Sequence, residues 1–268
     1  MATKLILAKT PAEAVDAKTS SAAFIAGGTE VNRLGSDIAE KADVLISLKK
    51  CGALKSIGKE AGYVTIGAMC TFQQIVESEW IPAYLKEAAL FMASRTKRNM
   101  ATIAGNIAAN RSDSYLIPAL TVAGAVVELC RKSGESERFG IEEYLENKES
   151  FENDLIVSVT VPEDIRLVSK RYSNTAQSHA VLTMSAALTE EGICMAGGVK
   201  NVGQLHFCDL EKAFNDDPDI SEEAIIKMVR ECTGLHTEDD MFGSDAYKRY
   251  LIAVTAFDLH RKLKGKEV

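Results

Sequence analysis

The sequence predicts an α+β protein with more than one sheet, on three observations. Near the N-terminus, short apolar runs alternate with amphipathic ones in the order strand, helix, strand, helix, strand. Further on, "GYVTIGAMC" switches to the two-residue period of a strand. After "DLIVSVTVP", which stops at Pro162, the pattern of strands followed by helices starts again. With 268 residues, 46% of them hydrophobic, the chain can bury a core. Domains of roughly 100 to 200 residues would make two of it, and a boundary is expected near Pro162 to Arg166.

The elements follow in order. Lys4 to Leu7 reads as a short strand, and Thr10 can cap a helix that begins at Pro11, where proline is well tolerated. The strand "AAFIAGG" then runs into Gly27 and Gly28. Adjacent glycines accept φ > 0 and leave no side chain between the backbone and whatever lies against it. Thr29 to Ser36 is expected to be helical. The unpaired first N–H groups of such a helix, together with its dipole, would favour an anion beside "AGGTE". "ADVLISL", an apolar run bounded by charges, reads as a buried strand. The alternation suggests a small mixed or parallel sheet covered by crossover helices. In the next region Tyr63, Thr65 and Gly67 alternate against Val64, Ile66 and Ala68. Helices are expected at Phe72 to Glu77 and Pro82 to Ser94. A polar, glycine-containing tract then leads through an apolar segment into the strand "AVVEL", and "DLIVSVTVP" is another strand. "IRLVSKRYS" and "HAVLTMSAALTEEGICMAGGVKNVG" restart the sheet pattern, and helices are expected at Ser221 to Arg230 and Asp245 to Lys262. No internal repeat points to a solenoid.

Composition excludes several functions. A net charge of −7 argues against a broad surface for nucleic acid phosphates or anionic lipid. Cys51, Cys70, Cys130, Cys194, Cys208 and Cys232 form no C-x-x-C knuckle and are too sparse for a disulfide scaffold; they read as reduced and mostly buried. No run reaches membrane-spanning length and the N-terminal apolar run is too brief for a secretion signal, so the chain is expected in the cytoplasm. The sequence contains no G-x-x-x-x-G-K-[ST], G-x-G-x-x-G, H-E-x-x-H or G-x-S-x-G. His179, His206, His236 and His260 lie far apart and none is assigned a metal. No residue is assigned a catalytic role.

Two small-residue segments of similar character remain: "AGGTE" at Ala26 to Glu30 and "TIAGN" at Thr102 to Asn106. Each alone reads most simply as a turn. Facing one another as loops, they could hold a pyrophosphate between opposed N–H donors. The succession "AGGTE", "ADVLISLKKCGALKSI", "GYVTIGAMCTFQQI", "RNMATIAGNIAANRSDSYLIPALTVAGAVVEL" and "VSKRYS" resembles the FAD-binding subunit of the molybdenum hydroxylases, the xanthine dehydrogenase and carbon monoxide dehydrogenase family, over nearly the whole chain.

The resemblance implies a two-part FAD-binding domain at 1–163, with a βαβ unit at 1–57 and an α+β unit at 58–163. It also implies a C-terminal domain at 164–268 with a small antiparallel sheet and helices. It places Ile25, Ala26, Gly27, Gly28, Thr29, Glu30 and Val31, together with Thr102, Ile103, Ala104, Gly105 and Asn106, around the FAD pyrophosphate and adjoining parts of the cofactor. Asp113 matches an acid that bonds FAD hydroxyls, and Lys170 a basic residue near the flavin. Ala104 stands where the family usually has glycine, which requires a negative φ, and "IAANRSDS" lacks the usual S-P before the aspartate. The implied function is electron transfer: electrons enter from a [2Fe-2S] subunit, are held on FAD and leave to an acceptor such as NAD, while a molybdopterin subunit hydroxylates the substrate. The alternatives are a free-standing FAD-dependent reductase or oxidase, resembling the enolpyruvyl-glucosamine reductases in its FAD-binding region, and a scaffold subunit without FAD.

Overall fold

Three sheets organise the chain, as seen in a computed structural model that describes residues 4–132 and 134–265. The first contains β1 (Lys4–Leu7), β2 (Ala22–Ile25) and β3 (Val44–Ser47) in the order β1-β3-β2, with both pairings parallel. Parallel neighbours need crossover connections, and the helix Pro11–Asp16, capped by the Thr10 side chain on the Glu13 N–H, supplies the first. The second crossover differs from expectation. Thr29 to Ser36 is not a helix but a chain of turns, followed by the four-residue helix Ile38–Lys41. Asn32 N–H reaches the Gly28 carbonyl, and then Arg33 bonds back to Glu30 and Ser36 to Arg33. A short helix is held mainly by burying an apolar face, and here Leu34 is 98% exposed while Gly35 breaks the run at φ +77.

The second sheet is antiparallel, with β4 (Ile57–Glu60), β5 (Tyr63–Gly67), β6 (Val126–Cys130), β7 (Ser136–Gly140) and β8 (Leu155–Pro162) in the order β4-β5-β8-β6-β7. Val64, Ile66, Val127, Leu129, Val159 and Val161 are buried, as the alternation requires. The helix Phe72–Glu77 starts with a capping box in which Thr71 and Gln74 satisfy each other's backbone N–H groups. The helix expected from Pro82 to Ser94 covers only Ala83–Leu90. Ser94 instead caps a separate turn, Arg95–Arg98, by accepting the Lys97 N–H.

The third sheet, β9 (Arg166–Tyr172), β10 (Leu182–Thr189), β11 (Gly192–Val199) and β12 (Gly203–His206), is antiparallel in the order β12-β11-β10-β9. The helices Cys208–Asp216, Glu222–Glu231 and Asp245–Leu263 share its core, where Met184, Met195, Phe214, Ile225 and Leu259 are buried together. Two compact units result. One comprises the chain up to Pro82, Ser94–Ala109 and Gly124–Glu163; the other comprises Ala83–Ala93, Asn110–Ala123 and the chain from Asp164 onward.

Candidate functional site

In the first unit, β2 ends at Ile25 and the chain turns through Ala26, Gly27 and Gly28. Gly27 has a plain steric reason: a Cβ there would stand 1.6 Å from the Met100 carbonyl oxygen. This backbone-to-backbone contact sets the first glycine segment against the residues leading into the helix Ile103–Ala109. Gly28 takes φ +78, in the left-handed region that glycine enters without the Cβ penalty. The amide N–H groups of Gly27, Gly28, Thr29 and Val31 donate to no acceptor among the described residues. Successive free amides in a turn that passes through a left-handed residue form a concavity suited to an anion. The neighbouring Glu30 carboxylate is paired with Arg33 at 2.9 Å, which offsets its charge.

The second segment departs from expectation. Ile103 to Asn106 are helical, not a loop, and their amides are already engaged. Ile103 N–H bonds to the Cys70 carbonyl, Ala104 N–H to Ala68, Asn106 N–H to Thr102, and Gly105 N–H to Thr102 Oγ1. An opposed set of donors is therefore not available from this side. What it offers is a bare surface, since a Cβ on Gly105 would meet only Thr102 Oγ1, at 2.8 Å, within 4 Å. Ala104 meets the requirement placed on it, because its backbone is helical and it is not among the residues with positive φ.

The two segments enclose a cavity of about 190 Å³. Ala26, Gly27, Gly28, Thr29, Glu30, Val31, Thr102, Ala104 and Gly105 line it, whereas Ile25, Ile103 and Asn106 do not. Sequence reasoning missed Ala68, Ala108, Ala109, Tyr144, Asp154 and Ile156 on the same wall. The five-stranded sheet and its flanking helix bring the last three there from far along the chain. Burial pushes the Tyr144 hydroxyl up to about 12, so it stays protonated. Burial likewise raises the Asp154 carboxyl, against the pull of Arg131 at 3.0 Å.

Asp113 and Lys170 belong to the second unit. Asp113 is 4% exposed. Its carboxylate accepts from Arg111 Nε at 2.9 Å and Arg111 Nη2 at 3.2 Å, and lies 2.5 Å from His179 Nδ1 and 3.3 Å from Lys200 Nζ. Burial alone would raise its pKa, but Arg111, Lys200 and His179 outweigh that and hold it below the ordinary carboxylate value. Lys170, on β9, pairs with Asp258 at 2.6 Å and sits over the Tyr172 ring. Burial opposes its charge, while Asp258 and Tyr172 more than restore it and raise the pKa. The Asp113 and Lys170 clusters share no member.

Comparison with known proteins is consistent with this architecture. Residues 1–164 match the family described as the FAD binding domain in molybdopterin dehydrogenase. The chain is 30% identical over 243 residues to the protein YgfM of Escherichia coli (strain K12), covering 89% of this chain and 86% of that one. It is 28% identical over 208 residues to the nicotinate dehydrogenase FAD-subunit of Eubacterium barkeri, covering 71% and 70%. Among solved structures, quinoline 2-oxidoreductase from Pseudomonas putida 86 superimposes with a TM-score of 0.83 at 18% identity, covering 100% of this chain and 99% of that chain. Carbon monoxide dehydrogenase from Hydrogenophaga pseudoflava gives 0.82 at 20% identity over the same shares. At these identities the structural likeness is one of fold.

Proposed function

Because the chain belongs to the family of FAD-binding domains of molybdopterin dehydrogenases, we propose that its cofactor FAD rests its pyrophosphate on the free amides of Gly27, Gly28 and Thr29. The protein is an oxidoreductase subunit of the molybdenum hydroxylase type. The observation that carries the reading is the group of four unclaimed N–H donors in a glycine turn, facing a helix stripped to alanine and glycine. Gly105, Ala104 and Ala108 allow close approach, and the Thr102 hydroxyl, which already accepts from Gly105, keeps a proton to donate. Ile25, Ile103 and Asn106 act behind this surface, fixing the strand end and the first helical turn. In this reading residues 1–163, as 1–57 and 58–163, make up the FAD-binding domain and 164–268 the C-terminal domain.

FAD supplies the capacity to take electrons singly and release them in pairs. The protein's part is binding, orientation and charge. Lys170, held cationic by Asp258, would favour negative charge on the flavin, and Asp113 would serve the cofactor's hydroxyls through the basic cluster that it organises. An iron–sulfur cluster takes four thiolates together, and the six cysteines of this chain are dispersed. That supports an electron source on a separate [2Fe-2S] subunit; the same reading puts substrate chemistry on a molybdopterin subunit and takes NAD as the acceptor.

The test is anaerobic. NADH added to the purified flavoprotein should bleach its visible absorbance, and the chain should co-purify with two further subunits. Failure of NADH to bleach the flavin removes NAD as acceptor. Full-rate oxidation of a purine or aldehyde by the isolated chain with NAD removes the subunit reading.

A further inference from the structure

In the second unit, three side chains of different chemistry, none of them assigned to FAD, converge. Cys194 lies on β11 and His206 at the end of β12, where the register sets Ala196 opposite His206. Strand period places Cys194 on the same face as Ala196, so Cys194 and His206 are diagonal neighbours. The chain turns directly from β12 into the helix Cys208–Asp216, whose first turn carries Glu211 back over the sheet. Sγ of Cys194 is 3.7 Å from Nε2 of His206. The same nitrogen is 2.6 Å from Oε1 of Glu211, which also accepts the Met195 N–H at 2.5 Å. All three candidate ligand atoms lie within 4.8 Å of one another.

A cysteine–histidine–carboxylate group invites comparison with a nucleophile and its base, but the geometry is wrong for that. A relay needs one imidazole nitrogen toward the nucleophile and the other toward the carboxylate. Here Nε2 alone faces both sulfur and oxygen. Convergence of three donor atoms on one point is instead what a cation requires. Tetrahedral zinc, with bonds of about 2.3 Å to sulfur and about 2.0 Å to nitrogen, places those two ligand atoms about 3.5 Å apart. The observed separation of Sγ and Nε2 is 3.7 Å. The His206–Glu211 contact, at 2.6 Å, has to open as a hydrogen bond gives way to two metal bonds.

We propose that Cys194, His206 and Glu211 form a binding site for a borderline divalent cation of the zinc type, tying β11 and β12 to the helix that follows them. Thiolate, imidazole and carboxylate together suit zinc better than magnesium or calcium, which take oxygen ligands. On binding, the Cys194 thiol gives its proton to solvent and no electron is transferred. Three protein ligands leave a fourth position for water, and His206 also borders a cavity of about 230 Å³.

The experiment uses the full-length flavoprotein, stripped with a chelator and titrated with zinc sulfate against a colorimetric zinc indicator. One equivalent per chain is expected. Cys194→Ser and His206→Gln should each weaken binding at least tenfold with flavin content unchanged, while Cys208→Ser, an exposed thiol outside the cluster, should bind as the parent does. Cobalt(II) in place of zinc should give a thiolate-to-metal charge-transfer band that Cys194→Ser abolishes. Zinc uptake by the parent no greater than by the Cys194→Ser/His206→Gln double variant overturns the proposal, as does loss of zinc in Cys208→Ser but not in Cys194→Ser. Should the variants fail to fold, the parent decides alone: absence of both the cobalt band and a zinc-dependent rise in melting temperature is a refutation.

Discussion

Replacing Gly28 by alanine tests the amide cradle with the smallest change. At φ +78 an L-residue carries a left-handed penalty of about 1 to 2 kcal/mol. The new Cβ would lie 2.9 Å from Asn32 Nδ2, the movable end of a side chain, so backbone strain is the larger effect. The chain can relieve it by returning residue 28 to negative φ, which turns the neighbouring N–H groups away from a common point. If FAD binding then has to restore the left-handed geometry, its affinity falls by about 5- to 30-fold. Gly62 supplies the control: it has φ +81 in the β4–β5 turn, and a Cβ there would have nothing within 4 Å, so Gly62→Ala carries the same strain without touching the cavity. Gly192 would be a poor control, because a Cβ there would strike Asn215 at 2.5 Å. The assay is the flavin-to-protein ratio after gel filtration, with the dissociation constant from quenching of FAD fluorescence on reconstitution and thermal melting to confirm folding. Gly28→Ala should lose flavin while Gly62→Ala keeps it. Parental FAD affinity in a folded Gly28→Ala, or equal loss in both variants, refutes the cradle.

Three further outcomes follow from the geometry. Asp113→Asn leaves Arg111 and the buried Lys200 without their shared anion, and should lower stability by about 3 to 5 kcal/mol in denaturant melts. Because the folded pKa of Asp113 is depressed, its contribution is present above the unfolded carboxylate value of about 3.9 and is lost as pH falls through the lower folded value; the variant's stability should therefore respond less to acid over that interval. Lys170→Gln should make the flavin midpoint potential more negative, whereas an unchanged potential would leave Lys170 as no more than the partner of Asp258. In the parent, the raised pKa of Lys170 means that its contribution to stability is full below the unfolded lysine value of about 10.4 and disappears as pH rises through the folded value. Ala104→Gly should keep FAD and lose up to about 1 kcal/mol of stability, the usual difference between these residues inside a helix.

The sequence made strands legible where one face was buried and the period was clean, as in Tyr63–Gly67, and where an apolar run was buried on both faces, as in Leu182–Thr189. Strands β4 and β7 went unread because, at the two edges of the five-stranded sheet, they carry polar runs such as "IGKE" and "SERFG". The helix expected after Gly28 failed for a reason outside local propensity: nothing covers Leu34. The zinc-type cluster was invisible for a related reason. Cys194, His206 and Glu211 follow no ligand spacing in the chain, and only strand register joined to a helical turn assembles them.

The glycine segments line one cavity, yet their glycines have different causes. Both were expected to be glycine-bearing so that backbone could approach a ligand, yet Gly27 is fixed by the Met100 carbonyl of its own chain. The helical turn at Ile103 to Asn106 has no free amides of its own to give. The two roles are therefore divided. Gly27 lets "AGGTE" lie flat against the strand of chain that leads into the helix, and that contact positions Gly28 and Thr29 with their amides unclaimed; Gly105 and Ala104 keep the opposite wall low. Anion affinity should accordingly respond to changes at Gly28 and Thr29, and access of the larger cofactor to changes at Gly105. Gly105→Val should hinder FAD while sparing inorganic pyrophosphate, a separation measurable by competition between the two for the apoprotein. Equal loss of both ligands would return the donor role to the second segment and defeat this division.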